Sequence, residues 1–366
     1  MKKTAPLSIA RSNIISIISD DNIAPNDALP PIRALAARFG ISPLTIQKAV
    51  ASLVSEGILI TRPGAGVFVA PRNTVSQGSV GVLLPHFGSE ENMVHQARIF
   101  KGIDSVLAKK NLRSILVHRR DGSLAEEESK AIKNLLDSGV SGIIAYIMSP
   151  PRSAAWNTLG TVQVPVVCVN NLSAHKRFSG VTANNYLGGE LAAEYLYQCG
   201  HRNAVIASSA DATQSVIDRV RGFTDYWLDP SRTGTQIVLT LGDTDTAHTD
   251  FKKKEEDTYK EWAKRIMHTE PKATAVFGIN DTIAARLILS LHEYGEVPHD
   301  ISVMGFDDND ICELIQPPIT TVRQPSEEIG VKAAEIMTEA LCTKNNSVTE
   351  ILLQPELIVR KSVRVI

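Results

Sequence analysis

ATAVFGINDTIAARLILSLHEYGEVPHDISVMGFDD, residues 273–308, reads as a strand, a helix and a second strand in immediate succession. An apolar β-prone run (ATAVFGI) gives way to a helix over 281–295, and ISVMGF then returns a second apolar run. The same alternation extends back to Val80. VGVLLP precedes a helix near 91–110, SILVH a helix over 124–138, and VSGIIAYI and VPVVCVN a helix near 186–199. NAVIAS, a helix near 214–228, QIVLTL and a helix over 255–268 complete the series. Such alternation means parallel sheets covered by helices on both faces. About ten strands are too many for one sheet in a segment of this size, so two similar lobes are expected.

Two lobes of this kind leave a cleft where the carboxyl ends of their strands face each other, which is where open α/β sheets bind ligands. The polar residues expected at those strand ends are Asn170 and Asn171, Asn280 and Asp281, and Asp307 and Asp308. Amides and carboxylates converging in a cleft suit a hydroxyl-rich ligand, since between them they donate to and accept from hydroxyls. Asn280 equally fits a helix cap, because it directly precedes DTIAARLILSLHEYG. Phe87, Trp156 and Phe178 are the aromatic candidates for stacking on such a ligand, and Phe87 ranks first because it follows a strand end. Gly188 and Gly189 are read as permitting close packing near a helix start.

The first seventy residues have a different pattern. Ile14, Ile17 and Ile18 mark a helix over 8–20, and after LPP a second helix with Ile32, Leu35, Ala36 and Phe39 is stopped by Gly40. Ser42 as N-cap and Pro43 at the first position open a third helix, with a buried stripe of Ile46, Ala49, Val50 and Leu53, ended by Gly57. Two short β-prone runs, 58–61 and 67–70, flank the turn RPGAG. Three helices and a hairpin describe a winged helix-turn-helix; an ordinary small α/β domain fits the pattern as well. In the first reading the third helix enters the DNA major groove with Leu44, Thr45, Gln47, Lys48 and Ser52 outward. The polar stretch APRNTVSQGS closes this region, giving a domain over 1–70, a linker over 71–79 and a two-lobed domain over 80–366.

Charge follows the same division. Residues 1–72 carry a net +4 and the remainder −6, although the chain as a whole is near neutral with 38 basic and 40 acidic residues. A basic head on an acidic body suits nucleic-acid binding by the head alone. The hydrophobic content of 43% and charged content of 21% exclude a disordered or collagenous chain. Cys168, Cys199, Cys312 and Cys342 have neither zinc nor redox spacing and are expected to be buried thiols. No phosphate loop, nucleophile elbow or zinc-protease motif occurs, so the expectations are no enzyme activity, no catalytic residue, no cofactor and no metal. The stretch after Lys2 and Lys3 is broken by Arg11, and no run is long enough to span a bilayer. A cytoplasmic protein without a membrane partner is expected.

Two resemblances sharpen this picture. LPPIRALAARFGISPLTIQKAVASLVSEGILITRPGAGVFVA resembles the winged-helix domain of GntR-family bacterial regulators along its whole length. The resemblance implies Arg33, Thr45 and Gln47 at the DNA and the Gly64–Gly66 tip against the minor groove; Ser42, Leu44 and Arg62 are also expected on the DNA-binding face. Arg33 and Lys48 would meet phosphates and Gln47 an adenine edge. Pro43 and Gln47 stand where the family often has Arg, so two expected cationic contacts are missing.

From Val80 to about Val363 the chain is similar to the effector domain of LacI/GalR-family repressors, itself like periplasmic sugar-binding proteins. GHRN, FGIND, DISVMGFDD and PPITTVRQP occur in the expected order. That likeness implies ligand contacts at Asn170, Arg219, Asn280 and Asp307, with Gln324 a fifth. Arg219 would fork two hydrogen bonds onto ring hydroxyls, and Asp307 would accept from a further pair. Asn170 and Asn184 replace the family's usual Asp; Asn184 is given a structural role.

The combination resembles the arabinose-repressor subgroup of the GntR family. It implies a homodimer on a pseudo-palindromic double-stranded DNA operator, with affinity set by a small sugar between the lobes. The alternative, a transport-type sugar-binding protein, would need an export signal and has no use for a winged helix.

Overall fold

The computed structural model describes residues 6–20, 23, 27–55, 58–62, 66–69, 78–85, 93–118, 124–170, 177–208, 213–232, 234–241, 251–343 and 347–366. The expected linker at 71–79 therefore lies mostly outside the described residues. The chain divides into two compact units, Met1–Ser76 and Gln77–Ile366.

The small unit contains α1 (Pro6–Asp20), α2 (Ile32–Phe39), α3 (Pro43–Ser55), β1 (Leu59–Arg62) and β2 (Gly66–Val69). Its core is the apolar stripe of each helix, with Ile14, Ile17, Leu35, Ile46 and Leu53 buried together beneath Leu59. Gly40 ends α2 in the left-handed region at φ 66°, its N–H bonding the Ala36 carbonyl, which is the conformation glycine adopts most readily. The Thr45 N–H donates to Ser42 Oγ at 3.2 Å, so Ser42 caps α3. β1 and β2 pair antiparallel with Leu59 opposite Val69, and Ala28 adds a single bridge to Phe68 that the sequence pattern does not announce. This is a winged helix-turn-helix.

The large unit begins with β3 (Ser79–Leu84), α4 (Met93–Lys109), β4 (Arg113–His118), α5 (Leu124–Asp137), β5 (Gly142–Ala145), α6 (Ala154–Gly160), β6 (Val166–Val169) and β7 (Ser179–Ala183). It continues with α7 (Asn185–Gln198), β8 (Asn203–Ala207), α8 (Gln214–Trp227), β9 (Gln236–Leu241), α9 (Phe251–Met267), β10 (Ala275–Gly278), α10 (Asp281–Leu291) and β11 (Ser302–Asp307). The last elements are α11 (Ile311–Leu314), β12 (Thr320–Arg323), α12 (Ser326–Thr343), β13 (Glu350–Leu353) and β14 (Glu356–Ile358).

These strands form two six-stranded sheets, ordered β13-β7-β6-β5-β3-β4 in the first lobe and β14-β12-β11-β10-β8-β9 in the second. All pairings are parallel except β12 with β14, a departure from the all-parallel expectation. The chain passes between lobes at three places: Asn184 after β7, Gln324–Pro325 after β12, and Gln354–Pro355 after β13. Ile329, Ala333 and Met337 of α12 complete the first lobe's core, while Phe223, Trp227 and Phe277 stack within the second.

Each lobe contains one helix pair that packs backbone to backbone. A Cβ on Gly102 would strike the Glu327 carbonyl and one on Gly330 the Ile99 carbonyl, which locks α4 against α12. Gly189 and Gly222 stand in the same way against the carbonyls of Arg219 and Tyr186, locking α7 against α8. Cys168, Cys199 and Cys312 are buried, but Cys342 is exposed near the end of α12, contrary to expectation.

Candidate functional site

At the carboxyl end of β11 in the second lobe lies a buried ion pair. Arg219 projects from α8, and its Nη1 lies 3.2 Å from Asp307 Oδ1 at the end of β11. The same nitrogen donates to the Ile279 carbonyl at 2.7 Å, Nε donates to Asn185 Oδ1 at 2.9 Å, and the guanidinium stacks 3.8 Å from the Phe306 ring centroid. Two of the three guanidinium nitrogens, Nη1 and Nε, are thus bonded within the protein. Such commitment is what a buried cation requires, because desolvation of an uncompensated charge costs several kcal/mol.

Asp307 sits at φ 113°, a conformation uncommon outside glycine, and its Oδ1 also accepts from Gln324 Nε2 at 2.6 Å. Burial pushes its pKa up, while Arg219 and Gln324 pull it down. Asp281 lies close by, fully buried and pushed up by burial and by the Asp307 charge. It accepts from Thr321 Oγ1 at 2.6 Å and from the Asn309 N–H at 2.8 Å, so it ties α10 to β12.

Asn170 closes β6 in the first lobe at φ 58°, which Asn tolerates better than most residues. Its Nδ2 lies 2.5 Å from His95 Nε2, and His95 Nδ1 lies 2.7 Å from Ser326 Oγ at the start of α12. Burial, then the charges of Arg219 and Arg98, push the His95 pKa down to about 3, so the ring is neutral. Tyr146 packs edge-on against it at 6.3 Å. The two lobes are bridged here: Ser215 Oγ donates to the Asn170 carbonyl at 3.1 Å, and Arg98 donates to the Asp308 carbonyl at 2.9 Å and pairs with Asp310 at 3.0 Å.

Asn280 Oδ1 accepts from the Ile283 N–H at 2.8 Å, so this oxygen caps α10 beside the Ile279 carbonyl that holds Arg219. Asn184 caps α7 at 3.0 Å. Asp308 does not line the cleft as a free acceptor; it pairs with Arg323 and Arg360, each at 2.7 Å. Trp156 is a core residue whose Nε1 donates to the Ser149 carbonyl, and Phe178 packs on the first lobe's core. Phe87, Asn171 and Gly64 lie outside the described residues. Among the described residues, five buried side-chain oxygens have no hydrogen-bond partner, and two of them, Asn170 Oδ1 and Gln324 Oε1, belong to this cluster.

Sequence reasoning missed His95, Tyr146, Asn185 and Ser326. A signal existed for His95, a polar residue in the first turn of the helix after the first strand, where that strand's carboxyl end opens on the cleft. Ser326 pairs with it across 231 residues of sequence, which no local pattern encodes.

In the small unit, Arg33, Ser42, Leu44, Gln47 and Lys48 are exposed and Thr45 is half-buried. Leu44 is 63% exposed, unusual for a leucine and in keeping with a surface that meets a partner. Ser42 Oγ and Thr45 Oγ1 lie 2.8 Å apart. Arg62, at the end of β1, stacks 4.5 Å from the Phe68 ring centroid, and Gly66 opens β2 at φ 114°. Ser52, expected to point outward, instead accepts from Arg11 and ties α3 to α1. Among the described residues there is no group of three metal-ligating side chains, and no helix is long and apolar enough to cross a membrane.

Residues 193–363 match the periplasmic binding protein-like domain, and residues 11–69 match the bacterial regulatory proteins of the gntR family. The chain is 27% identical over 377 residues to the arabinose metabolism transcriptional repressor of Geobacillus stearothermophilus, with 99% of both chains covered. The HTH-type transcriptional repressor PurR of Vibrio atlanticus (strain LGP32) is 26% identical over 269 residues, 73% of this chain and 77% of that one. Among solved structures, a LacI family transcriptional regulator from Enterococcus faecalis V583 with bound ribose superposes at TM-score 0.64 with 25% identity, covering 79% of this chain and 99% of that one. The chain thus carries a stretch similar to the gntR-family bacterial regulatory proteins at residues 11–69, followed by one similar to the periplasmic binding protein-like domain at residues 193–363.

Proposed function

We propose that this protein is a DNA-binding transcriptional repressor whose operator affinity falls when a small sugar occupies the cleft of its large unit. The observation that carries the sugar reading is the buried Arg219–Asp307–Gln324 cluster with two unpartnered amide oxygens, Asn170 Oδ1 and Gln324 Oε1. A buried acceptor left without a donor costs about 1–3 kcal/mol, and a ligand hydroxyl supplies what each lacks. Relatives that repress arabinose metabolism or hold ribose support the same class of effector. Arg33, Ser42, Leu44, Thr45, Gln47 and Lys48 are the DNA-facing set of this reading, together with Arg62 and Gly66 of the wing.

The working form is a homodimer, so that two recognition helices meet a pseudo-palindromic operator. A groove of about 440 Å³ supports self-association through the large unit; Leu289, Ile311 and Leu314 line it, with Arg286 and Asp310 of opposite charge. Leu289 is 61% and Leu314 77% exposed, an apolar surface that a second copy would cover. Coupling of 1–3 kcal/mol between cleft and operator, about 5- to 150-fold in affinity, is the usual scale.

The test is fluorescence anisotropy on a duplex from the gene's own upstream region, with and without L-arabinose or D-ribose. Release of the duplex by at least one sugar is expected, with sedimentation giving a dimer that Leu314→Glu splits. Absence of retardation on every upstream duplex would sink the regulator reading. Binding that no sugar alters would sink the effector reading.

A further inference from the structure

The hydrogen bonds around His95 fix one another's direction. An amide Nδ2 only donates, so His95 Nε2, 2.5 Å from it, must accept, and the ring proton must sit on Nδ1. Nδ1–H then donates to Ser326 Oγ at 2.7 Å, which leaves the serine hydrogen for the Gln324 carbonyl at 3.4 Å. Gln324 in turn donates its Nε2 to Asp307 at 2.6 Å. Both amides thereby have their nitrogen bonded within the protein and their oxygen without a partner. Rotating the Asn170 amide would demand the opposite tautomer of His95. It would also place an N–H where the Arg219 charge, near enough to depress the imidazole pKa, favours an oxygen.

We infer that His95 is the positioning residue that sets the hydrogen-bond polarity of the cleft, and that the cleft therefore takes an uncharged polyhydroxy ligand and rejects its phosphorylated or carboxylated counterpart. The inference rests on the effector reading above and narrows its ligand class. Two acceptors, Asn170 Oδ1 and Gln324 Oε1, lack a donor, and a ligand that meets them must bring one to each. Hydroxyls bring donors; a phosphate or carboxylate at neutral pH brings further acceptors. Among the described residues, both guanidiniums beside the cluster are paired, Arg219 with Asp307 and Arg98 with Asp310.

The relay is tested without any ligand by histidine ¹⁵N shifts of the full chain, with His95 assigned from its loss in His95→Gln. A neutral ring protonated at Nδ1 is expected; protonation at Nε2 overturns the relay. Ligand polarity is tested by thermal shift with D-ribose against D-ribose 5-phosphate and L-arabinose against L-arabinonate. Stabilisation confined to the neutral member of a pair is expected. Stabilisation by the anion overturns the ligand class, and silence from all four sugars overturns both it and the effector reading while leaving the tautomer result standing.

The third arm is selectivity in His95→Phe, which frees the Asn170 amide to rotate. The ratio of sugar to sugar-phosphate affinity should fall at least tenfold, and His95→Gln, whose side-chain oxygen can accept from Asn170, should restore it. Equal weakening of both ligands in His95→Phe would reduce His95 to packing and overturn its role.

Discussion

The candidate DNA-binding face and the candidate effector cleft use polar side chains in opposite ways. Arg33, Gln47 and Lys48 stand exposed on their helices, whereas Arg219, Asp307, Gln324, Asn170 and His95 are buried and bonded to one another. A solvated cation is screened and acts almost alone, so its loss subtracts one contact. A buried cluster acts as a unit, and removing one member strands the others.

The sharpest way to break this comparison is Arg219→Ala. It leaves the Asp307 carboxylate buried without its cation, so a loss of about 3–5 kcal/mol in the large unit is expected together with loss of the sugar response. Calorimetry checks the first and anisotropy the second; a variant as stable as the parent would contradict the unit-like behaviour of the cleft.

Acid comes next. His95 and His201 are buried with pKa values pushed down to about 3 and about 4, chiefly by burial, whereas in the unfolded chain both titrate near 6.5. Between these values the unfolded state holds more protons on each ring, so each ring lowers stability by about 1.4 kcal/mol per pH unit as pH falls from 6.5 toward 4, while Asp281 and Asp307, pushed up by burial, keep protons in the folded state and oppose part of that decline. Urea melts of the full chain and of His201→Gln at pH 7, 6 and 5 isolate the contribution of one ring, and the same pH dependence in both would refute it.

Gly222→Ala is expected to cost about 1–3 kcal/mol, because its Cβ meets the Tyr186 backbone where only a helix shift makes room. A smaller effect at Gly102 than at Gly222 would show that the two locked helix pairs are not equivalent.

Arg33→Ala should do least. It is expected to weaken binding to all duplexes alike and lower the salt slope by about one, with no change in thermal stability. A slope unaltered by the substitution removes Arg33 from the interface.

Legibility in the sequence followed the same division. The quoted strands were the more strongly apolar runs, whether central or, like β4 and β9, at a sheet edge. Those missed, β7 (SGVTA), β12 (TTVR), β13 (EILL) and β14 (ELI), are short, interrupted by polar residues and adjacent to the crossings between lobes. There, tertiary hydrogen bonds rather than side-chain pattern define a strand. Arg219 was legible only through the LacI/GalR likeness, since its spacing on α8 marks it merely as one polar residue among several. Asn280 carried two readings at once, and its side-chain oxygen took the capping one. His95 and Ser326 stayed hidden because the contact that gives each its meaning joins opposite ends of the large unit.

The three crossings have a consequence for biosynthesis. Each lobe is discontinuous: the first needs α12 and β13 to cover and finish a sheet begun at Ser79, and the second needs β14 from the last eleven residues. A nascent chain leaving the ribosome exposes the unfinished face of the first sheet until nearly all of it has been translated, a period in which unpaired edges invite aggregation. Premature termination anywhere before Ser326 would release two incomplete half-sheets rather than one intact lobe.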